Sequence, residues 1–128
     1  MSEPKRVLVT GAGGPGGVNV TRALRLADEE IFLLGTDSNR YHICLAETDA
    51  RELIPKAADL AAYLERLQRL IHDYNIGLLI LTNGVEIRAL AGREDDLSAR
   101  IFLPKPETVA AGQDKYRSFE MWAANGIP

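Results

Sequence analysis

Five of the seven residues in Gly11-Ala12-Gly13-Gly14-Pro15-Gly16-Gly17 are glycine, and they follow directly on the apolar run Arg6-Val7-Leu8-Val9-Thr10. No other feature restricts the fold as much. A β-branched run stopped by glycine reads as a buried strand. The residues after it, Val18 to Leu26, set Val18, Ala23, Leu24 and Leu26 against Arg22 and Arg25 and read as a helix. A strand must therefore turn tightly into a helix, and glycine supplies the backbone freedom. Pro15 suits the first helical position, where its missing N–H costs nothing.

The alternation continues. Ile31-Phe32-Leu33-Leu34-Gly35-Thr36 reads as a second buried strand ending at Asp37. Residues 38–50 carry no clean period and read as a loop with one helical turn, in which Cys44 is expected to be half-buried. Arg51 to Pro55 reads as an edge strand, where proline is tolerated. From Asp59 to Tyr74, Leu60, Tyr63, Leu64, Leu67, Leu70, Ile71 and Tyr74 form an amphipathic helical stripe. Leu78 to Thr82 is a third strong strand, Val85 to Leu97 a helix, and Ile101 to Leu103 a last short strand. Two helices close the chain: Pro106 to Gly112, then Asp114 to Asn125, with Gly126 where helices commonly end. Near-continuous apolar strands between helices argue for a parallel sheet covered on both faces. The expected fold is α/β: a Rossmann-like open, mostly parallel sheet of about five strands with helices on both faces.

At 128 residues the chain is one domain by size. Its 46% apolar and 26% charged residues exclude a disordered chain. A net charge of −3 argues against nucleic-acid or membrane-surface partners. Cys44 is the one cysteine, which excludes an internal disulfide, and no metal-ligand pattern surrounds His42 or His72. No apolar run approaches the roughly 20 residues of a membrane helix, and the opening residues lead into only a short apolar run, so no signal peptide is expected. A cytoplasmic location is the expectation.

Within the glycine run lies the spacing Gly11-x-Gly13-x-x-Gly16. Backbone N–H groups at such a turn, with the positive end of the helix dipole behind them, suit an anion. Asp37 stands 21 residues after Gly16, where an acid accepts hydrogen bonds from a ribose diol. Each feature has a plainer alternative: the glycines permit a tight turn and close helix packing, and Asp37 starts the turn Asp37-Ser38-Asn39. In an open α/β sheet, ligands sit beyond the carboxyl ends of strands where strand order reverses. That point should fall between the first strand and Leu78–Thr82, so that Thr82, Asn83 and Glu86 face the glycine loop. Glu86 equally suits a helix-start acid. The candidate substrate- or anion-binding set is therefore Gly11, Ala12, Gly13, Gly14, Pro15, Gly16, Gly17, Asp37, Thr82, Asn83 and Glu86. No catalytic residue and no metal ligand is assigned. A Gly13→Val change is expected to block anion binding while the fold survives.

Val7 to Asn19, then Gly35-Thr36-Asp37-Ser38-Asn39 and Ile54-Pro55, together with Gln113-Asp114-Lys115 and the ending Gly126-Ile127-Pro128, resemble the N-terminal domain of ATP-grasp ligases. The nearest flavour is the large subunit of carbamoyl-phosphate synthase. The resemblance implies a Rossmann-like pre-ATP-grasp domain over residues 1–112 and, over 113–128, the start of a segment leading into ATP-grasp lobes. It implies a carboxylate–amine ligase that activates a carboxylate as an acyl phosphate. ATP and Mg would be cofactors of the longer protein, bound by lobes missing here and not tightly by this chain. The domain would hold a small-molecule carboxylate substrate and be inactive alone, and the surface exposed around Phe119, Met121, Trp122 and Ile127 would favour a homodimer. Two rivals stand beside it. One is an NAD(P)-binding Rossmann domain of a reductase or epimerase, although Tyr41, Tyr63, Tyr74 and Tyr116 all lack the lysine four residues on that such enzymes use. The other is a non-catalytic module that binds a small anion.

Overall fold

A computed structural model describes residues 4–128. Five strands form one sheet: β1 (Lys5–Thr10), β2 (Ile31–Asp37), β3 (Ala50–Leu53), β4 (Leu78–Ile80) and β5 (Arg100–Ile101). Their order is β3-β2-β1-β4-β5, and every pairing is parallel. The sheet is the open α/β Rossmann-like arrangement expected from the alternation of apolar runs and helices.

Helices cover both faces. The residues of β1 alternate: Val7 and Val9 join Ala12, Leu33, Ile43 and Ala46 in one buried cluster, with Val20 and Leu24 of α1 (Pro15–Leu24) packed on it. Leu8 points to the other face with Leu34 and Leu79, under Tyr63, Leu67, Leu70 and Ile71 of α2 (Leu60–Asp73). Leu90 of α3 (Gly84–Leu90) belongs to this second cluster. The apolar stripe read in the sequence of α2 is thus the lid of the larger core. Asp59 caps that helix, accepting a hydrogen bond from Ala62 N at 3.3 Å. α4 (Pro106–Gln113) and α5 (Lys115–Ala124) follow the last strand.

Some boundaries differ from those read in the sequence. α1 begins at Pro15 and ends at Leu24, earlier at both ends than Val18 to Leu26. α3 stops at Leu90, not Leu97, because Gly92 takes a left-handed φ of 79° and a short 3₁₀ turn over Glu94–Asp96 follows. A second 3₁₀ turn, His42–Leu45, accounts for the one helical turn of the 38–50 loop. It leaves Cys44 exposed rather than half-buried. No helix among the described residues is long and apolar enough to cross a membrane.

Gly112 lies inside α4, and a methyl group there would meet nothing within 4 Å. Glycine in a helix costs conformational entropy that alanine does not. Gly112→Ala is therefore expected to stabilise the chain by about 0.5 kcal/mol, read as a small rise in the urea midpoint.

Candidate functional site

The strand order reverses between β1 and β4, so a crevice opens at their carboxyl ends. The glycine turn lies on this crevice. Gly11 takes a φ of 58°, in the left-handed region, and its carbonyl accepts a hydrogen bond from Gly14 N at 3.0 Å. Ala12 N donates to Thr36 O at 3.0 Å, tying the turn to the end of β2. α1 then starts with Pro15 at its first position, no side-chain cap and no acid in its first turn. Its free N–H groups and positive dipole end are left to whatever occupies the crevice.

The glycines do different work. A Cβ on Gly11 would stand 2.8 Å from Thr82 Oγ1 and 3.1 Å from Asn83 Nδ2, so Thr82 and Asn83 face the turn. Thr82 Oγ1 also donates to Thr10 O at 2.7 Å. A Cβ on Gly13 would lie 1.8 Å from His42 O, so the open side of Gly13 is filled by the chain's own 3₁₀ turn. A Cβ on Gly17 would lie 2.3 Å from Gly11 O, the close packing of helix on turn. The packing alternative weighed for these glycines therefore accounts for Gly13 and Gly17. Gly14 and Gly16 are the roomier positions, with the first contacts of a Cβ at 3.3 Å.

Asp37, at the end of β2, is 7% exposed, and its Oδ1 accepts from Asn39 N at 2.8 Å. It makes the turn and also lines a hollow beyond the end of β2 with Arg40, His42 and Lys56. Glu86 is 6% exposed. Asn83 Oδ1 accepts from Glu86 N at 3.0 Å, and Asn83 Nδ2 donates back to the Glu86 carboxylate. This is a reciprocal cap at the start of α3. Burial pushes the Glu86 carboxyl above the usual range, and the negative charge of Asp37 adds to the push. Thr10, Tyr63 and Asn83 work against it by favouring the charged form. Burial and the neighbouring Glu86 also hold the Tyr63 phenol far above its ordinary value.

Beneath the glycine turn lies a polar layer that the sequence reading left out. Thr10 and Thr36, paired in register at the ends of β1 and β2, are fully buried. Their hydroxyls and that of Tyr63 lack a well-formed hydrogen bond within the chain. Thr10 and Tyr63 lie near enough to Glu86 to influence its ionisation without bonding it squarely. The signal was present, since a threonine follows the apolar run of each strand, Thr10 in β1 and Thr36 in β2. Tyr63 sits in the apolar stripe of α2, which conceals its hydroxyl.

No family model matches the chain, and no curated protein does. Solved structures do. A dTDP-glucose 4,6-dehydratase from Bacillus anthracis, solved in complex with NAD, superposes with a TM-score of 0.53 at 16% identity, over 77% of this chain and 36% of that one. A UDP-D-quinovosamine 4-dehydrogenase from Vibrio fischeri superposes with a TM-score of 0.54 at 21% identity, over 87% of each chain. The chain thus spans about a third of the dehydratase it resembles. At these identities the likeness is one of fold, that of Rossmann-type chains.

These findings overturn the resemblance to ATP-grasp ligases and carbamoyl-phosphate synthase, and with it the ligase function and the assignment of ATP and Mg as cofactors. The physical reason lies in the residues that carried it. Gly11 is demanded by its left-handed backbone, Gly17 by the packing of α1 on the turn, and Gly13 by the His42 carbonyl. Asp114 caps α5, accepting from Arg117 N at 3.0 Å, and Gly126 ends the same helix at a φ of 67°. Gln113 ties α4 to α3, donating to Gly84 O at 2.8 Å. Each is structural punctuation rather than the mark of one chemistry.

Proposed function

We propose that the chain is a dinucleotide-binding Rossmann domain that takes NAD, as part of a dehydrogenase- or dehydratase-type protein. One observation carries this reading: the uncapped, acid-free start of α1 stands at the strand-order reversal with Asp37 at the end of the adjacent strand. A pyrophosphate suits the N–H groups of the first turn of α1, and the roomier Gly14 and Gly16 leave it space. The Asp37 carboxylate suits the hydroxyls of an adenosine ribose and repels a 2′-phosphate. The dehydratase solved with NAD supports the same reading by its fold. When bound, NAD would supply a hydride acceptor. This chain's own residues would hold and orient it. Tyr41, Tyr63, Tyr74 and Tyr116 lack the partner lysine four residues on, so no hydride-transfer chemistry is assigned to them.

Calorimetric titration with NAD and with NADP tests this. NAD is expected to bind with a Kd in the micromolar range, about 8 kcal/mol, and at least about tenfold more tightly than NADP. Asp37→Ala is expected to weaken NAD about tenfold, the value of a hydrogen bond to a charged group. No heat from either dinucleotide at millimolar concentration would overturn the reading.

A further inference from the structure

Beyond the crevice, on its β4–β5 side, α3, α4 and the start of α5 line an open groove of about 550 Å³. Its lining includes Gly84, Arg88, Gln113 and Lys115; the nearest acid, Asp114, lines the adjoining hollow and is engaged as the cap of α5, accepting from Arg117 N. Arg88 and Lys115 enter no ion pair among the described residues. Arg88 is nevertheless held in place. Its Nε donates to Gln113 Oε1 at 2.8 Å, while Gln113 Nε2 donates to Gly84 O at 2.8 Å. An amide partner orients a guanidinium without neutralising it, unlike the carboxylate that holds Arg22 or Arg66. The two Nη groups of Arg88 are left for an oxyanion that can accept two parallel hydrogen bonds.

We propose that this open groove binds the oxyanion group, phosphate or carboxylate, of a small anionic substrate, with Arg88 as the oriented fork and Lys115 as a second charge. The groove starts at Gly84, the first residue of α3. Gly84 follows Asn83, whose amide faces Gly11, whereas Asp37 lies on the opposite side of β1. A ligand here would lie at the end of the crevice away from the ribose acid. That the ligand is the substrate rests on the dinucleotide reading; that the groove takes an anion does not.

The test is titration of the ¹⁵N-labelled chain with inorganic phosphate, with acetate and, separately, with NAD, followed by backbone and arginine Nε resonances. Phosphate or acetate is expected to shift Gly84, Gln113, Lys115 and the Arg88 Nε in the millimolar range, and the stronger of the two names the oxyanion. Arg88→Gln and Lys115→Gln, both surface changes, are each expected to weaken that binding about tenfold. Arg88→Lys keeps the charge without the fork and is expected to recover only part of it. Shifts confined to the glycine turn, or spread evenly over all surface cations, would overturn the proposal. So would unchanged affinity in both glutamine variants. NAD reports separately through Gly14, Gly16 and Asp37. Its silence would remove the dinucleotide reading and leave the anion groove standing.

Discussion

Gly13→Val is expected to lower the melting temperature by roughly 10 °C. A Cβ at Gly13 would lie 1.8 Å from His42 O and 2.2 Å from His42 C. Those are backbone atoms, so no rotamer change relieves the clash. The 3₁₀ turn His42–Leu45 must move, and it is anchored by the buried Ile43 in the core on the α1 face. Overpacking of this kind costs on the order of 3 kcal/mol, and for a domain of this size each kcal/mol is worth roughly 4 °C. Circular-dichroism melts of variant and parent decide it. A difference of less than about 2 °C, well below that cost, would mean that the turn yields freely and that the Gly13–His42 contact constrains nothing. The sequence alone leads one to expect that this variant blocks anion binding while the fold survives; the His42 contact adds a cost in stability that the sequence does not show. Gly16→Ala is the cleaner probe of binding, because its methyl group first meets Thr82 O at 3.3 Å.

Glu86→Gln is expected to gain stability relative to the parent as pH rises. The folded carboxyl titrates above its ordinary value of 4.5, chiefly through burial. Between those two values the folded chain holds more protons than the unfolded chain. The contribution of Glu86 is therefore complete below about pH 4.5 and is lost as pH rises through the folded value. Glutamine does not titrate there and keeps an oxygen to accept from Asn83 Nδ2. The stability difference, variant minus parent, should climb above about pH 4.5 with a slope of at most about 1.4 kcal/mol per unit and then level off. Asp49 titrates below its ordinary range through its bonds to Leu33 N and Arg25, despite partial burial. It contributes with the opposite sign, but it is present in both proteins and cancels. Urea denaturation at several pH values measures the difference. A flat line would show that Glu86 ionises in the folded chain as it does in water.

Much of the fold was legible because its signals are local. The runs at Val7–Val9, Leu33–Leu34 and Leu78–Leu79 are apolar at successive positions, which only strands buried on both faces require. The stripe from Tyr63 to Ile71 has the helical period. The end of α3 was less legible: Gly92 stops it, yet apolar Leu97 beyond the stop extends the pattern and belongs to the core by way of a loop. The candidate site was half legible. Its place at the β1/β4 reversal follows from the glycine turn and the strand order. Thr10, Thr36 and the Tyr63 hydroxyl were missed because apolar neighbours in the sequence hide a polar atom. Arg88, Gln113 and Lys115 were missed because they are 25 or more residues apart, counted from Arg88, and have no pattern in common.

The sequence by itself determined the α/β class, the turn at residues 11–17 and the strand-to-helix crossing, because period, β-branching and glycine act within a few residues. Only the tertiary structure decided what the glycines are for. Gly13 makes room for the His42 carbonyl, Gly17 for the Gly11 carbonyl, and Gly11 for Thr82 and Asn83. A missing side chain carries no record of what fills its place. The occupant, whether ligand or distant backbone, is set by how the strands are ordered and which loop crosses above them. For the same reason Glu86 starts a helix in the sequence, whereas the structure also buries it, with its carboxylate held by Asn83.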